Sequence, residues 1–182
     1  MINLWHDMDS NRITPEKMTV VIEIPMGSKK KYELDKQTGI IILDRILHTS
    51  THYPANYGFI PKTLSEDGDP LDVLVISREK LDPMVLVDCF PIGVMKMIDN
   101  NEVDEKIIAL PFGDPYYSGY KDVDELPEHT FDEIRHFFEV YKFLENKHTI
   151  VEQVLGRKSA IDVINKSIEL YNTTYSNKFD KI

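Results

Sequence analysis

Residues 66–76 read Glu-Asp-Gly-Asp-Pro-Leu-Asp-Val-Leu-Val-Ile, so an acidic turn leads directly into an apolar run. Gly68 allows the backbone to turn tightly, and Pro70 fixes its own φ and withholds an N–H. The apolar residues that follow, 73–76, predict a buried β-strand. The stretch therefore predicts a turn that brings three aspartates to the mouth of a strand.

Strand-like runs bounded by Pro, Gly, Asp or Asn continue on both sides of this turn. They cover residues 18–24, 31–34, 39–44, 72–76, 84–89, 92–98 and 106–110. Residues 35–38 are typical of a hairpin turn between the second and third runs. Many short strands at this spacing predict a closed or nearly closed β-barrel.

The C-terminal part changes to a helical period. Apolar residues recur at three- and four-residue steps in two sets: Phe131, Ile134, Phe138 and Tyr141, then Ile161, Ile164, Ile168, Tyr171 and Tyr175. Two pairs resemble helix N-terminal caps: Thr130 with Glu133, and Ser159 with Asp162. No repeat or Gly/Ser linker divides the chain. We therefore expect one domain over residues 1–182, of the α+β class and mainly β, with two C-terminal helices packed beside the barrel.

Composition narrows the functional class. A formal net charge of −10 argues against a nucleic-acid partner, which usually meets a basic face. The longest apolar runs fall far short of the roughly 20 residues that a bilayer requires, so no membrane partner is expected. Residues 1–10 lack the plan of a secretory signal, and Cys89, the single cysteine, is expected to be a buried thiol. A cytoplasmic location is the expectation.

The acidic turn has two interpretations on its own residues. Three crowded aspartates repel one another unless a cation neutralises them, and carboxylate oxygens suit Mg²⁺ or Mn²⁺. A solvated turn is the other interpretation, because Asp and Gly are common in turns. An EF-hand starting at Asp67 fails, since Asp72 and Arg78 stand where Gly and Glu are needed. A covalent aspartyl-phosphate enzyme is disfavoured by the polar residues 62–66.

Other acids could complete a cation site. Residues 99–106 form a second acidic patch between two predicted strands, where a hydrated hairpin turn is the simpler interpretation. Glu23 and Glu33 lie on predicted strands. The six histidines show no zinc-site spacing, and the chain carries no Ser or Cys nucleophile motif, phosphate-binding Gly loop or dinucleotide fingerprint. The chemistry must come from carboxylates, cations, basic side chains and water.

At this point the sequence resembles the soluble family I inorganic pyrophosphatases. Their signature Asp-Gly-Asp-Pro-x-Asp stands at residues 67–72, and further matches follow in the family's order at residues 21–25, 31–33, 44–45, 53–58, 99–106 and 136–142. Each short match alone is ambiguous, but their ordered set is specific. The resemblance implies a five-stranded barrel of the oligonucleotide-binding (OB) type with helices packed on it. It also implies hydrolysis of pyrophosphate to two phosphates.

The resemblance also implies roles for particular residues. Asp67, Asp72 and Asp104 resemble the ligands of the tightest Mg²⁺ site, and Asp99 and Glu23 resemble residues that place further ions, with Glu33 supporting them. The residues that resemble the family's phosphate-binding groups are Lys31, Arg45, Tyr57, Lys106, Tyr141 and Lys142. Asp69 resembles the general base. Taken singly, Tyr141 is typical of a core aromatic and Lys31 of a solvated turn.

The same resemblance implies Mg²⁺ as cofactor, with Mn²⁺, Co²⁺ or Zn²⁺ as substitutes, and a homo-oligomer, a hexamer being favoured for short chains of this family. Two rivals stay open. A hydrolase of nucleoside polyphosphates could use the same cation cluster, although no base-binding segment is recognisable. A non-enzymatic barrel that binds Ca²⁺, a sugar or a nucleic acid could retain the carboxylates without turnover, since a fold alone does not establish function.

Overall fold

The computed structural model describes residues 3–99 and 102–179. Within them lie eight strands and two α-helices, with 3-10 helices at Ser10–Arg12, Val123–Glu125 and Phe143–Glu145. The strands are β1 (Met18–Ile24), β2 (Lys30–Leu34), β3 (Ile41–Ile46), β4 (Asn56–Phe59), β5 (Asp72–Val75), β6 (Leu86–Asp99), β7 (Glu102–Pro111) and β8 (Thr149–Gly156). The helices are α1 (Glu128–Val140) and α2 (Arg157–Phe179).

Five strands close into a barrel. Strand pairing runs in the order β1, β4, β5, β7, β6, and an additional pairing of β6 with β1 closes the ring, with Met18 opposite Cys89. β5 and β7 are parallel, while the other neighbours in the ring are antiparallel. β8 adds to β6 outside the ring, and β2 and β3 form a separate hairpin. The predicted OB-type barrel with two C-terminal helices is therefore confirmed.

The core explains why β1 is apolar except at Thr19 and Glu23. All seven of its residues are buried, because the helices cover the barrel from outside. Ala160, Val163 and Ile164 of α2 belong to one buried cluster with strand residues such as Val20. α1 contributes the buried residues Phe131, Ile134, Phe137 and Phe138 to a second cluster. Cys89 is buried, as expected, and its thiol pKa is raised by burial.

Several strand predictions need correction. The runs 84–89 and 92–98 are not two strands but one, β6, because a register irregularity just after Pro91 lets proline sit in the ladder. The acidic patch at 99–106 continues these strands: β6 ends at Asp99 and β7 begins at Glu102, while the predicted turn residues 100–101 lie outside the described residues. The short strand β4 and the edge strand β8 were not predicted.

Both predicted helix caps are wrong. Thr130 lies inside α1, whose N-cap position is Pro127 and makes no side-chain hydrogen bond. Ser159 lies inside α2, whose first backbone N–H, that of Arg157, donates to Asp122 Oδ2 at 3.0 Å. The cap thus comes from a residue 35 positions earlier, beyond the reach of a local sequence pattern. Neither described helix has the length and apolar character needed to span a membrane.

Candidate active site

A cavity of about 330 Å³ opens between the β2–β3 hairpin, the acidic turn and the barrel. All the predicted site residues except Arg45 line it: Glu23, Lys31, Glu33, Tyr57, Asp67, Asp69, Asp72, Asp99, Asp104, Lys106, Tyr141 and Lys142. Arg45 lies beside it on β3, where its guanidinium donates to Asp44 at 2.5 Å and to Glu145 at 3.0 Å. Residues spread over more than 100 positions therefore meet around one space.

The acidic turn has the tight geometry that its sequence predicts. Gly68 has a φ of +85°, in the region that favours glycine. The backbone N–H of Ser65 donates to Asp69 O at 2.8 Å, and that of Asp69 donates to Asp67 Oδ1 at 2.9 Å. The turn therefore presents Asp67 and Asp69 just before Asp72, the first residue of β5.

The parallel pairing of β5 with β7 assembles the centre of the site. Asp72 lies opposite Lys106, and Asp104 precedes Lys106 by two residues and so shares its face of β7. The Lys106 ammonium lies 2.7 Å from Asp72 Oδ2 and 3.0 Å from Asp104 Oδ1. It also donates to the Tyr57 hydroxyl at 3.1 Å, and that hydroxyl donates to Asp72. One lysine thus holds two aspartates and a tyrosine.

Burial dominates the electrostatics of these acids. It raises the pKa of Asp104 and of Asp67, and neighbouring carboxylates raise both further. Glu23 is only 6% exposed, and burial together with Asp72 raises its pKa to about 8. Burial alone would lower the pKa of Lys106, but Asp104 and Asp72 outweigh it and hold that pKa well above its ordinary value. The carboxylates of this site are therefore stabilised by bound cations or by protonation.

A second charged pair closes the cavity where α1 ends. Lys142, two residues beyond α1, forms an ion pair with Asp99 at the end of β6, and burial lowers its pKa. Within the described chain, two buried polar atoms nearby have no hydrogen-bond partner: Asp99 Oδ1 and Arg45 Nη2. Tyr141 is 5% exposed and packs in the core cluster, as expected of a core aromatic, and it also lines the cavity. Its phosphate-binding role stays a prediction.

The hairpin supplies the remaining wall. Lys31 Nζ lies 2.9 Å from Glu33 Oε2 and 2.8 Å from Asp44 Oδ2, and is therefore held in place rather than free in solvent. Lys36, at the hairpin turn, was not predicted as a site residue. It lines the cavity and forms an ion pair with Asp69. A lysine in a polar turn gives no sequence signal for such a long-range contact.

The cavity suits a hard divalent cation in its chemistry. Its acids offer carboxylate oxygens, the ligands that Mg²⁺ prefers, and Asp99 Oδ1 is buried without a partner in the described chain. Over residues 3–99 and 102–179, however, no three His, Cys, Asp or Glu side chains converge closely enough to hold an ion as they stand. At the centre, the Lys106 ammonium engages Asp72 and Asp104 instead.

Comparison with known proteins identifies the family. The family model described as inorganic pyrophosphatase matches residues 20–172. This chain belongs to the inorganic pyrophosphatase family. It is 50% identical over 171 residues to soluble inorganic pyrophosphatase 2 of Chlamydomonas reinhardtii, covering 94% of this chain and 89% of that protein. It is 51% identical over 167 residues to soluble inorganic pyrophosphatase 1 of Arabidopsis thaliana, covering 92% and 79%.

Solved structures of inorganic pyrophosphatases share the fold. The enzyme of Thermus thermophilus aligns with a TM-score of 0.89 at 40% identity, covering 94% of this chain and 99% of that one. That of Helicobacter pylori aligns with a TM-score of 0.84 at 46% identity, covering 87% and 95%. The similarity extends over the barrel and most of the chain. Membership of the inorganic pyrophosphatases disfavours both rivals, the nucleoside polyphosphate hydrolase and the non-enzymatic barrel.

Proposed function

We propose that the 330 Å³ cavity is the active site at which this inorganic pyrophosphatase hydrolyses pyrophosphate to two phosphates with the help of divalent cations. One observation carries the proposal: carboxylates and lysines from five strands, the acidic turn and the end of α1 line the same cavity. A polyanion such as pyrophosphate requires both, since lysines bind its oxygens while carboxylates hold the cations that neutralise it.

The residues that would hold the cations follow from the acidic face of the cavity. Asp67, Asp72 and Asp104 would hold the tightest-bound cation, and Asp99 and Glu23 would help to hold those that arrive with substrate, with Glu33 beside them. Mg²⁺ is the cation we propose, and Mn²⁺, Co²⁺ or Zn²⁺ could replace it. Such cations withdraw charge from phosphate oxygens and lower the pKa of water.

Asp69 is the proposed proton acceptor. Its side chain is 52% exposed at the cavity, and its backbone is held by Asp67 in the tight turn, so its carboxylate can meet a water at the substrate. It would take a proton from that water as the water attacks phosphorus. In this scheme water is the nucleophile, so no side chain forms a covalent bond to phosphate. The sequence carries no Ser or Cys nucleophile motif that would provide such a bond.

The basic and phenolic groups would bind the phosphate oxygens and the charge that develops on the leaving phosphate. Arg45 offers a planar fork with its Nη2 free of any partner in the described chain, while Lys31 of the hairpin and Lys142 beyond α1 add point charges. Lys106 and the hydroxyls of Tyr57 and Tyr141 would complete the set. Because each ammonium is now paired with a carboxylate, cations on those carboxylates would release the lysines for substrate.

Phosphate release from pyrophosphate by the purified protein tests the proposal. We expect rapid turnover with Mg²⁺ and none in excess chelator. ATP and Mg²⁺ form the comparison, and slow release from ATP is expected because most of the residues that line the cavity are charged, which favours a small polyanion over a nucleoside. Absence of turnover with Mg²⁺, Mn²⁺, Co²⁺ and Zn²⁺ alike would refute the proposed function.

We also propose that the protein is a cytoplasmic homo-oligomer, with six copies as the expected number. Exposed apolar side chains on the hairpin and on β8 support an assembly, among them Ile42, Leu43, Ile46 and Ile150. A chain with one buried cysteine needs no oxidising compartment. Light scattering coupled to size exclusion would give the molar mass, and a mass near the 21.1 kDa of one chain would contradict the assembly.

A further inference from the structure

The ammonium of Lys36 lies against the carboxylate of Asp69. It forms an ion pair with that carboxylate and donates to the Gly68 carbonyl at 3.2 Å. Both side chains of the pair are about half exposed, at 51% and 52%. A surface ion pair of this kind contributes little to folding. Because the pair lies in the cavity wall and includes the proposed proton acceptor, it can serve catalysis rather than stability.

Hydrogen bonds in the hairpin turn fix the backbone position from which the Lys36 side chain extends. The backbone N–H of Asp35 donates to Ile40 O at 2.8 Å, and that of Gln37 donates to Asp35 Oδ1 at 3.1 Å. The carbonyl of Lys36 itself accepts from Asn3 Nδ2 at 3.4 Å. The turn is thus held from inside and from the N-terminal segment, so the lysine reaches the acidic turn from a defined point.

This contact links two parts of the molecule that are not paired in one sheet. β2 and β3 form their own two-stranded sheet, which carries Lys31 and Arg45 of the proposed phosphate-binding set. The acidic turn carries Asp67 and Asp69 and leads into β5, which begins at Asp72. At the tip of the hairpin, Lys36 connects the two through its bonds to Gly68 and Asp69.

We propose that Lys36 is a positioning residue for pyrophosphate hydrolysis, which orients the Asp69 carboxylate and fixes the acidic turn against the phosphate-binding hairpin. The inference rests on the role proposed above for Asp69. It follows because a proton acceptor on an exposed turn needs a fixed orientation toward the attacking water, and a misplacement of about 1 Å can cost about 100-fold in rate.

A double-mutant cycle with Asp69 tests the proposal. Lys36→Met removes the ammonium and should lower kcat about tenfold, with KM changed less than about threefold. Lys36→Arg keeps a cation and should recover most of the rate. In an Asp69→Asn background, itself slowed about 100-fold or more, Lys36→Met should change kcat less than about twofold. Lys30→Met, an exposed lysine on the same hairpin, is the matched control and should leave kcat unchanged.

The outcomes separate the possible roles. A rise in KM at constant kcat would assign Lys36 to substrate binding, and equal losses of kcat in both backgrounds would show that it acts without Asp69; either overturns the inference and leaves the proposed function intact. An arginine variant as slow as the methionine variant also overturns it. An Asp69→Asn enzyme as fast as the wild type would overturn the inference together with the proposed role of Asp69. Melting temperatures should differ by less than about 4 °C, which separates positioning from unfolding.

Discussion

Lys106 carries a positive charge into the wall of the barrel, where its side chain is only 3% exposed. Removing a charge from water is costly, and here Asp72 and Asp104 offset the cost at 2.7 and 3.0 Å. The three groups depend on one another, because loss of the lysine would leave two crowded carboxylates without a counter-ion. Lys106 therefore stabilises the cation-free protein as well as binding substrate in the proposed mechanism.

Lys106→Met should accordingly lower the free energy of unfolding by about 3 kcal/mol when measured in chelator, since it breaks a buried ion pair from one side. Lys96→Met is the matched control: Lys96 on β6 pairs with Glu105 on β7 at 2.9 Å, but its side chain is 31% exposed. That change should cost about 1 kcal/mol or less. Urea denaturation of both variants provides the measurement, and equal losses would contradict the explanation.

The placement of these residues differs in how far the sequence could predict it. The acidic turn could be predicted because its Gly and Pro fix a local geometry that the structure reproduces. The association of Asp104 with Asp72 came from the family resemblance, since nothing local indicates that β7 lies parallel to β5. Lys36 was missed because its contact with Asp69 spans 33 positions and arises only when the hairpin folds over the turn.

At Gly58 the backbone of β4 approaches that of β1 unusually closely. A Cβ added at this position would lie 1.9 Å from the carbonyl oxygen of Val21, a backbone atom that cannot move without opening the ladder. Gly58→Ala should therefore lower the free energy of unfolding by about 3 kcal/mol or more, as overpacking does in cores. Gly113→Ala, where a Cβ meets no atom within 4 Å, should change it by less than about 1 kcal/mol.

Thermal unfolding of the two variants distinguishes close packing from a general effect of glycine replacement. Similar melting temperatures for Gly58→Ala and Gly113→Ala would refute the close approach. The same contact explains why β4 escaped prediction: a glycine in a four-residue strand weakens the sequence signal, although the fold requires it for packing.

The start of α2 depends on Asp122. Its carboxylate accepts from the Arg157 N–H at 3.0 Å and from the Val123 N–H at 2.7 Å, so it caps a helix that follows it at long range. Asp122→Ala should cost about 1–2 kcal/mol of unfolding free energy. Asp124→Ala, at an exposed neighbouring position, should cost less than about 0.5 kcal/mol in the same denaturation experiment. Equal costs would show that Asp122 does not act as the cap.

The barrel itself was predictable from short apolar runs, because strands β1 and β5 show their burial directly in the sequence. The order of the strands was not, since the closing pair β1–β6 and the parallel pair β5–β7 join segments far apart in the chain. Local patterns predict elements, whereas ring closure depends on contacts among all five strands.

The molecule concentrates acidic side chains around the cavity that we propose binds pyrophosphate, itself an anion. The chain has 31 acidic against 21 basic residues, and seven of the acids line one cavity together with four lysines. Burial raises the pKa of Glu23, Asp67 and Asp104, which means that their ionised forms are held at a cost. Cations that bind these carboxylates only in the folded state should therefore stabilise the fold as a whole.

This linkage gives a prediction independent of turnover. Mg²⁺ at about 100 times its dissociation constant should raise the free energy of unfolding by about 2.7 kcal/mol over the value in chelator. Asp104→Asn should lose most of that increment, because the increment requires a ligand at the cavity. Glu152→Gln, an exposed acid on β8, should keep it. Calorimetry with and without Mg²⁺ measures the shift; an increment retained in Asp104→Asn would place the stabilising cation elsewhere and remove Asp104 from the proposed ligands.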